Sequence, residues 1–178
     1  GSGVMGSGIA YWLSTKRLDV ILKDVDDDAL ARGMGGIETL YRSATNKRVF
    51  TKTEAQSGMD NILATTQDVS FNNIDIIIEA ATEDLSLKKK IFHSLSLKSS
   101  ETTILATNTS ALPIHELADS ISHPERLIGI HFFNPVPRMK LVEVVRTSTT
   151  SDTTVAAALK FVQSIGKLPV LVNDSPGF

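Results

Sequence analysis

Short apolar runs that alternate with amphipathic stretches are the feature that most constrains the fold of this chain. Apolar runs of four to seven residues lie between stretches whose apolar side chains recur with helical spacing, as at 84–97. This alternation of strand and helix is typical of βαβ units built around a parallel sheet. The chain of 178 residues is long enough for one α/β domain with its own core.

The same patterns predict the individual elements. Helices are expected at residues 4–16, 27–48, 51–61 and 84–97, from Pro113 to near Ser120, and from a cap at or beside Ser151 to Gly166; strands are expected at 18–23, 62–65, 74–80, 103–106, 126–132, 140–145 and 168–172. We therefore predict a Rossmann-type, doubly wound and mostly parallel sheet with a late antiparallel hairpin, and one domain over residues 1–178.

Composition excludes several classes of function. A formal net charge of −2 gives no electrostatic footprint for a nucleic acid or an anionic membrane, so neither is expected as a partner. No apolar run approaches the length of a membrane span. The absence of cysteine rules out disulfides, thiolate metal sites and a cysteine nucleophile, and no metal site is predicted.

The chain opens on the glycine-rich string GSGVMGSGIA. Gly1, Gly3 and Gly6 match the pattern GxGxxG, in which glycines allow a tight turn, a close approach of backbone to pyrophosphate, and close packing of helix on strand. The pattern alone is weak, because glycine-rich linkers look similar. The strand that should precede it is not in the sequence, so we expect a sheet that lacks its first strand and 178 residues that alone are marginally stable or aggregation-prone.

An acid at the end of the next predicted strand supports a dinucleotide site. Asp24 lies 18 residues beyond Gly6, where a carboxylate would accept hydrogen bonds from the adenosine ribose. Val25 follows, and no arginine stands there to pair with a 2′-phosphate, which favours NAD over NADP. The alternative for Asp24 is a turn or N-cap residue ahead of the next helix. Together with the glycines, the cofactor interpretation is preferred.

A histidine and a glutamate are placed symmetrically about the predicted hairpin. His131 and Glu143 each lie six residues from Pro137, so antiparallel strands folded about that point would make them direct cross-strand neighbours. A carboxylate beside an imidazole fixes its tautomer and stabilises its protonated form, as a base that removes the proton of an alcohol requires. The alternative is a satisfied core histidine. The remaining histidines, His93, His115 and His123, have no comparable partner in the sequence and are interpreted as surface or helix residues.

Two polar residues follow another predicted strand. Asn108 and Ser110, in ILATNTSALPI, could hold a substrate oxygen and the nicotinamide end of the cofactor. Their spacing alone favours ordinary loop capping before Pro113.

Five segments together resemble the 3-hydroxyacyl-CoA dehydrogenase family of fatty-acid β-oxidation and short-chain acyl-CoA metabolism. They are GSGVMGSGIA, IIIEAATEDLSLKKKIF, ILATNTSALPI, HPERLIGIHFFNPVPRMKLVEVV and GKLPVLVNDSPGF, which cover nearly the whole chain in the family's order. The resemblance implies that residues 1–178 are the NAD-binding Rossmann domain. Complete members also carry a strand ahead of Gly1 and, after Pro176-Gly177-Phe178, an all-helical domain that closes the acyl site and forms the dimer. We therefore expect this chain alone to be inactive.

The resemblance also implies a role for individual residues. It makes His131 the catalytic base, Glu143 its partner and Ser110 the group that hydrogen-bonds the substrate oxygen. Residues that match cofactor contacts are Gly1, Gly3, Val4, Met5, Gly6, Asp24, Glu83, Lys88, Asn108 and Asn134, and Lys47 matches a lysine that meets the CoA phosphates. Without the family, Lys88 would be interpreted as a solvated helix lysine.

The resemblance implies reversible oxidation of an L-3-hydroxyacyl-CoA to the 3-ketoacyl-CoA with NAD. It places the parent protein in the cytoplasm of a bacterium, or in the mitochondria or peroxisomes of a eukaryote, as a dimer or as part of a multifunctional β-oxidation protein. One alternative is a sister dehydrogenase that acts on a free hydroxy acid such as gulonate or on carnitine. Those relatives typically replace the surroundings of Phe132-Phe133 and Arg138-Met139-Lys140. The other alternative is a non-catalytic nucleotide-binding module.

Overall fold

The structure is a computed structural model that describes residues 1–175. Pro176-Gly177-Phe178, after which complete family members are expected to continue into a helical domain, lie outside the described residues. The described part contains α1 (Val4–Ser14), β1 (Val20–Lys23), α2 (Asp27–Asn46), α3 (Lys52–Asp60), β2 (Ile62–Thr65), β3 (Ile76–Glu79), α4 (Leu85–Lys98), β4 (Ile104–Thr107), α5 (His115–Ala118), β5 (Leu127–Phe132), β6 (Leu141–Arg146), α6 (Asp152–Ser164) and β7 (Leu168–Asn173). Every predicted element is present, and the ends differ from the predicted ends by at most two residues.

The strands form a two-stranded and a five-stranded sheet. β1 and β2 are parallel, and the second sheet has the order β3-β4-β5-β6-β7. All neighbours in the second sheet are parallel except β5 and β6, which form the predicted antiparallel hairpin. The α/β class, the mostly parallel pairing and the late hairpin are therefore confirmed.

The chain divides into two compact units. The first unit comprises residues 1–68 with 134–138, and the second comprises residues 69–133 with the described residues from 139 onward. The single domain predicted over residues 1–178 stays a prediction.

The core of the first unit lies between α1, α2 and the β1–β2 sheet. It consists of Ala10, Tyr11, Leu22, Leu30, Ile37, Tyr41 and Ile62. The Tyr11 and Tyr41 rings meet edge to face with centroids 4.7 Å apart, and the buried Tyr41 hydroxyl lies 2.8 Å from the Ser14 hydroxyl. The polar tip of Tyr41 thus has a partner while its ring fills the core.

The second unit is built on one apolar cluster around β4 and β5. Its buried members are Phe92, Leu105, Ile114, Leu117, Ala118, Ile121, Leu127 and Val145. These side chains fix α4 and α5 against strands whose carboxyl ends lie at the same edge of the sheet. Polar residues that follow β3, β4 and β5 are therefore brought together there. Among the described residues, no helix is both long and apolar enough to cross a membrane.

Two glycines of α2 give a matched test of the packing in the first unit. A Cβ at Gly33 would lie 2.6 Å from the Ser2 carbonyl oxygen, whereas a Cβ at Gly35 would meet nothing within 4 Å. We expect Gly35→Ala to stabilise the protein by about 1 kcal/mol through helix propensity. Gly33→Ala should destabilise it by about 1–3 kcal/mol, because backbone must move. Urea unfolding measures both changes, and equal effects at the two positions would contradict the close contact.

Candidate active site

The glycine string forms a turn that leads directly into α1. Gly3 is the N-cap residue, α1 has no side-chain cap and no acidic residue in its first turn, and Val4 is 74% exposed. A Cβ at Gly3 would meet nothing within 4 Å, so the surface over the turn is open. An uncapped helix N-terminus with open space in front of it suits a phosphate group, because its N–H groups and its dipole favour negative charge. The start of α1 therefore fits the pyrophosphate of a dinucleotide.

Asp24, which directly follows β1, is held in place by the glycine turn. Its Oδ2 accepts hydrogen bonds from the Ser2 N–H at 2.5 Å and the Ser2 hydroxyl at 2.6 Å, and its Oδ1 accepts from the Val25 N–H at 2.7 Å. Partial burial raises the pKa of this carboxyl, but the hydrogen bonds from Ser2 and Val25 outweigh burial and the pKa lies below its usual value. Asp24 is thus an oriented carboxylate.

The sequence left open whether Asp24 is a helix cap. The N-cap of α2 is Asp26, whose side chain accepts a hydrogen bond from the Ala29 N–H at 2.7 Å. The N-cap alternative for Asp24 is therefore wrong, and its role at a ribose stays a prediction. Lys47 is exposed at the C-cap of α2, and Asn134 is exposed; their predicted roles also stay predictions.

His131 and Glu143 form the predicted pair across the hairpin. They are direct partners in the β5–β6 register, and His131 Nδ1 lies 2.8 Å from Glu143 Oε2. The two side chains are 15% and 21% exposed, and the His131 ring contacts the Phe133 ring with centroids 4.6 Å apart. A carboxylate only accepts hydrogen bonds, so Nδ1 is the donor, and in the neutral imidazole Nε2 is then the nitrogen that accepts a proton.

The residues after β4 connect it to the neighbouring strands. The Asn108 side-chain oxygen accepts a hydrogen bond from the Phe132 N–H at 2.8 Å. The backbone N–H of Asn108 donates to the Glu79 backbone carbonyl at 2.8 Å. Ser110 is exposed, and its N–H donates to Glu83 Oε1 at 3.0 Å. Asn108 therefore connects the ends of three strands, and its role at the cofactor stays a prediction.

A buried ion pair beside this loop was missed by the sequence analysis. Lys88 Nζ lies 2.8 Å from both carboxylate oxygens of Glu79, and the two side chains are 1% and 3% exposed. Interpretation of Lys88 as a solvated helix lysine is therefore wrong. Glu79 ends a run of three isoleucines in a strand, and a charge at that place was the signal available in the sequence.

Two further histidines do have acidic partners, contrary to expectation. His115 Nδ1 lies 2.7 Å from Asp174 Oδ2, and His123 Nδ1 lies 3.1 Å from Glu125 Oε1. Their interpretation as surface residues holds, because the two side chains are 62% and 39% exposed. Asp174 also accepts the N–H groups of Ile114 and His115 at the start of α5, so this pair fixes a short helix.

Comparisons with known proteins identify the family of this chain. The sequence profile of the 3-hydroxyacyl-CoA dehydrogenase NAD-binding domain matches residues 1–175. The 3-hydroxybutyryl-CoA dehydrogenase of Escherichia coli K12 is 37% identical with a TM-score of 0.96, covering 100% of this chain and 38% of that one. The (S)-3-hydroxybutyryl-CoA dehydrogenase of Ralstonia eutropha is 39% identical with a TM-score of 0.97, covering 100% of this chain and 63% of that one.

The dehydrogenase part of multifunctional enzyme 1 from Caenorhabditis elegans is also similar. It is 32% identical with a TM-score of 0.87, covering 97% of this chain and 39% of that one. This chain thus spans between 38% and 63% of the length of these three structures. With the profile matched over residues 1–175, the chain belongs to the 3-hydroxyacyl-CoA dehydrogenase family, as its NAD-binding domain.

Proposed function

We propose that this chain carries the cofactor-binding and acid–base groups of an enzyme that oxidises an L-3-hydroxyacyl-CoA to the 3-ketoacyl-CoA. The observation that carries the proposal is the hydrogen-bonded pair of His131 and Glu143 at the end of β5, in a chain of this family. The relatives from Escherichia coli and Ralstonia eutropha act on 3-hydroxybutyryl-CoA, which supports an acyl-CoA substrate.

The first unit supplies the groups that hold NAD. The uncapped start of α1 would take the pyrophosphate, and the oriented carboxylate of Asp24 would accept the ribose hydroxyls. A 2′-phosphate would meet that carboxylate as a like charge, and Val25, which is 90% exposed, offers it no counter-charge. When bound, NAD supplies the acceptor for the hydride that leaves the alcohol carbon.

The second unit supplies the groups that move the proton. His131 takes the hydroxyl proton at Nε2 while Nδ1 donates to Glu143, whose negative charge stabilises the imidazolium that forms. The Ser110 hydroxyl, whose long contact with Glu83 Oε1 measures 3.5 Å, would turn to donate a hydrogen bond to the oxygen that becomes the ketone. General-base help of this kind is worth roughly 10²–10⁴-fold in rate.

The proposal is tested by assaying the full-length protein that carries this chain. We expect it to reduce acetoacetyl-CoA with NADH, and to do so much more slowly with NADPH, because Asp24 opposes the 2′-phosphate. Free acetoacetate is the matched control for the CoA group. Faster turnover of free acetoacetate would favour a sister dehydrogenase, and NADH binding without turnover of either substrate would favour a non-catalytic module.

A further inference from the structure

The ion pair of Glu79 and Lys88 is not used by the acid–base mechanism. Glu79 is the last residue of β3, Lys88 lies on α4, and both side chains are almost completely buried. Removing two charges from water is costly, and a hydrophobic pair of similar volume is often at least as stable. Stability alone therefore does not explain the pair, and its role has to be inferred from the groups that it contacts.

The pair connects the ends of two strands with the first turns of α4. The Thr107 hydroxyl at the end of β4 donates to Glu79 Oε2 at 2.8 Å, and the Ala81 N–H donates to Glu79 Oε1 at 2.5 Å. Lys88 Nζ also donates to the Ala81 carbonyl at 3.3 Å. An ammonium group has three N–H donors, and the Glu79 oxygens and this carbonyl provide three acceptors for them.

The charge of Lys88 reaches one further carboxylate, that of Glu83. Lys88 Nζ lies 3.7 Å from Glu83 Oε2, beyond hydrogen-bond distance but within range of strong attraction. Glu83 in turn accepts hydrogen bonds from the Thr109 hydroxyl at 2.8 Å and from the Ser110 N–H at 3.0 Å. Thr109 is 1% exposed, and its hydroxyl oxygen accepts the Leu112 N–H at 3.1 Å, so the turn that carries Ser110 is fixed through Glu83.

We infer that Glu79 is a positioning residue for Ser110, acting through Lys88 and Glu83. Glu79 holds the Lys88 ammonium 3.7 Å from Glu83 Oε2. At this distance the ammonium attracts and orients the Glu83 carboxylate, while Thr109 and Ser110 keep their hydrogen bonds to it. Without Glu79 the ammonium would move onto Glu83 Oε2 as its nearest remaining carboxylate oxygen, and the carboxylate turned by this contact would no longer present Oε1 to the Ser110 N–H. The functional consequence rests on the role proposed above for Ser110, whereas the structural linkage does not.

The linkage is tested first without any activity measurement. In the full-length protein, the rate of solvent exchange of the Ser110 amide is measured by NMR in Glu79→Gln and in Glu79→Gln/Lys88→Met. The double variant keeps no buried charge and should fold even if the single variant does not. We expect about tenfold faster exchange at Ser110 in both, because its acceptor is displaced or no longer oriented. The Ile104 amide at the start of β4, which donates to the Asp75 carbonyl, should be unchanged.

Lys89→Met is the matched control for the loss of a lysine. Lys89 is the next residue of α4, and its ion pair with Glu116 at 3.5 Å is partly exposed. It should leave Ser110 exchange unchanged. Unchanged exchange at Ser110 in the folded double variant would overturn the inference, as would exchange that rises equally at Ser110 and Ile104.

Kinetics then distinguish positioning from a general loss of stability. We expect the double variant to lower kcat for acetoacetyl-CoA about tenfold with little change in KM, and a further Ser110→Ala change to add nothing. Additive losses, or a higher KM for NADH with unchanged Ser110 exchange, would contradict positioning of Ser110. If the unaltered protein does not reduce acetoacetyl-CoA, the proposed function is wrong, and the exchange rates still decide the linkage.

Discussion

Replacing His131 by glutamine should lower turnover of acetoacetyl-CoA by at least about a hundredfold, while NADH still binds. Glutamine has similar polarity but no group that takes up a proton near neutral pH, so the proton transfer loses its acceptor. Because His131 Nδ1 lies 2.8 Å from Glu143 Oε2, the substitution removes the proton acceptor of this pair. It should not remove a group that binds the cofactor. Steady-state rates together with NADH fluorescence titration measure the two effects separately.

Glu143→Gln should also be damaging, because a neutral amide cannot stabilise an imidazolium and can present its NH₂ group to Nδ1. The control is His123→Gln, which removes another histidine with a carboxylate partner, 3.1 Å away, from an exposed site. Its turnover should equal that of the unaltered protein. Near-normal turnover in either His131→Gln or Glu143→Gln would show that the assigned roles are wrong.

The hairpin shows why part of this site could be predicted from the sequence. The register of two antiparallel strands follows from the position of the turn, so equal distances from Pro137 were enough to pair His131 with Glu143. A second local pattern was also correct. The end of β1 was predicted directly before Asp24, where a short apolar run gives way to acidic residues. Local patterns fix such features, and their positions were correct.

Partners that are distant in sequence could not be predicted in this way. Lys88 has the spacing of a helix residue, and only the packing of α4 against β3 buries it beside Glu79. The pair of His115 and Asp174 joins residues 59 positions apart, where the end of β7 meets the start of α5. Burial of a charged side chain depends on which faces of the helices and strands pack together. The local pattern of a single sequence does not predict that packing.

Ser2 shows a related limit for a predicted site. The spacing of Gly1 and Gly3 indicated a turn but gave no role to the residue between them. In the structure Ser2 is 3% exposed and donates two hydrogen bonds to Asp24. The Asp24 carboxylate, predicted to bind the ribose, thus also orders the glycine turn beside it. Both are possible because a carboxylate accepts about four hydrogen bonds.

The largest change in stability is expected at the buried ion pair. Lys88→Met would leave the Glu79 carboxylate buried with its hydrogen bonds from Thr107 and Ala81 but without a counter-charge. Breaking such a pair on one side costs about 3–5 kcal/mol, out of a total of about 5–15 kcal/mol for a domain. We therefore expect a large fall in the free energy of unfolding, measured with urea.

The second change separates the buried charge from the loss of lysine packing. Glu79→Gln/Lys88→Met should recover most of the lost stability, because glutamine keeps an oxygen that accepts the Ala81 N–H while no charge remains buried. Lys89→Met should cost less than about 1 kcal/mol, because its pair with Glu116 is partly exposed and screened by solvent. A double variant as unstable as Lys88→Met would show that packing of the lysine stem, not an unpaired carboxylate, determines the stability here. A Lys88→Met variant within about 1 kcal/mol of the unaltered protein would contradict the cost assigned to the unpaired Glu79 carboxylate.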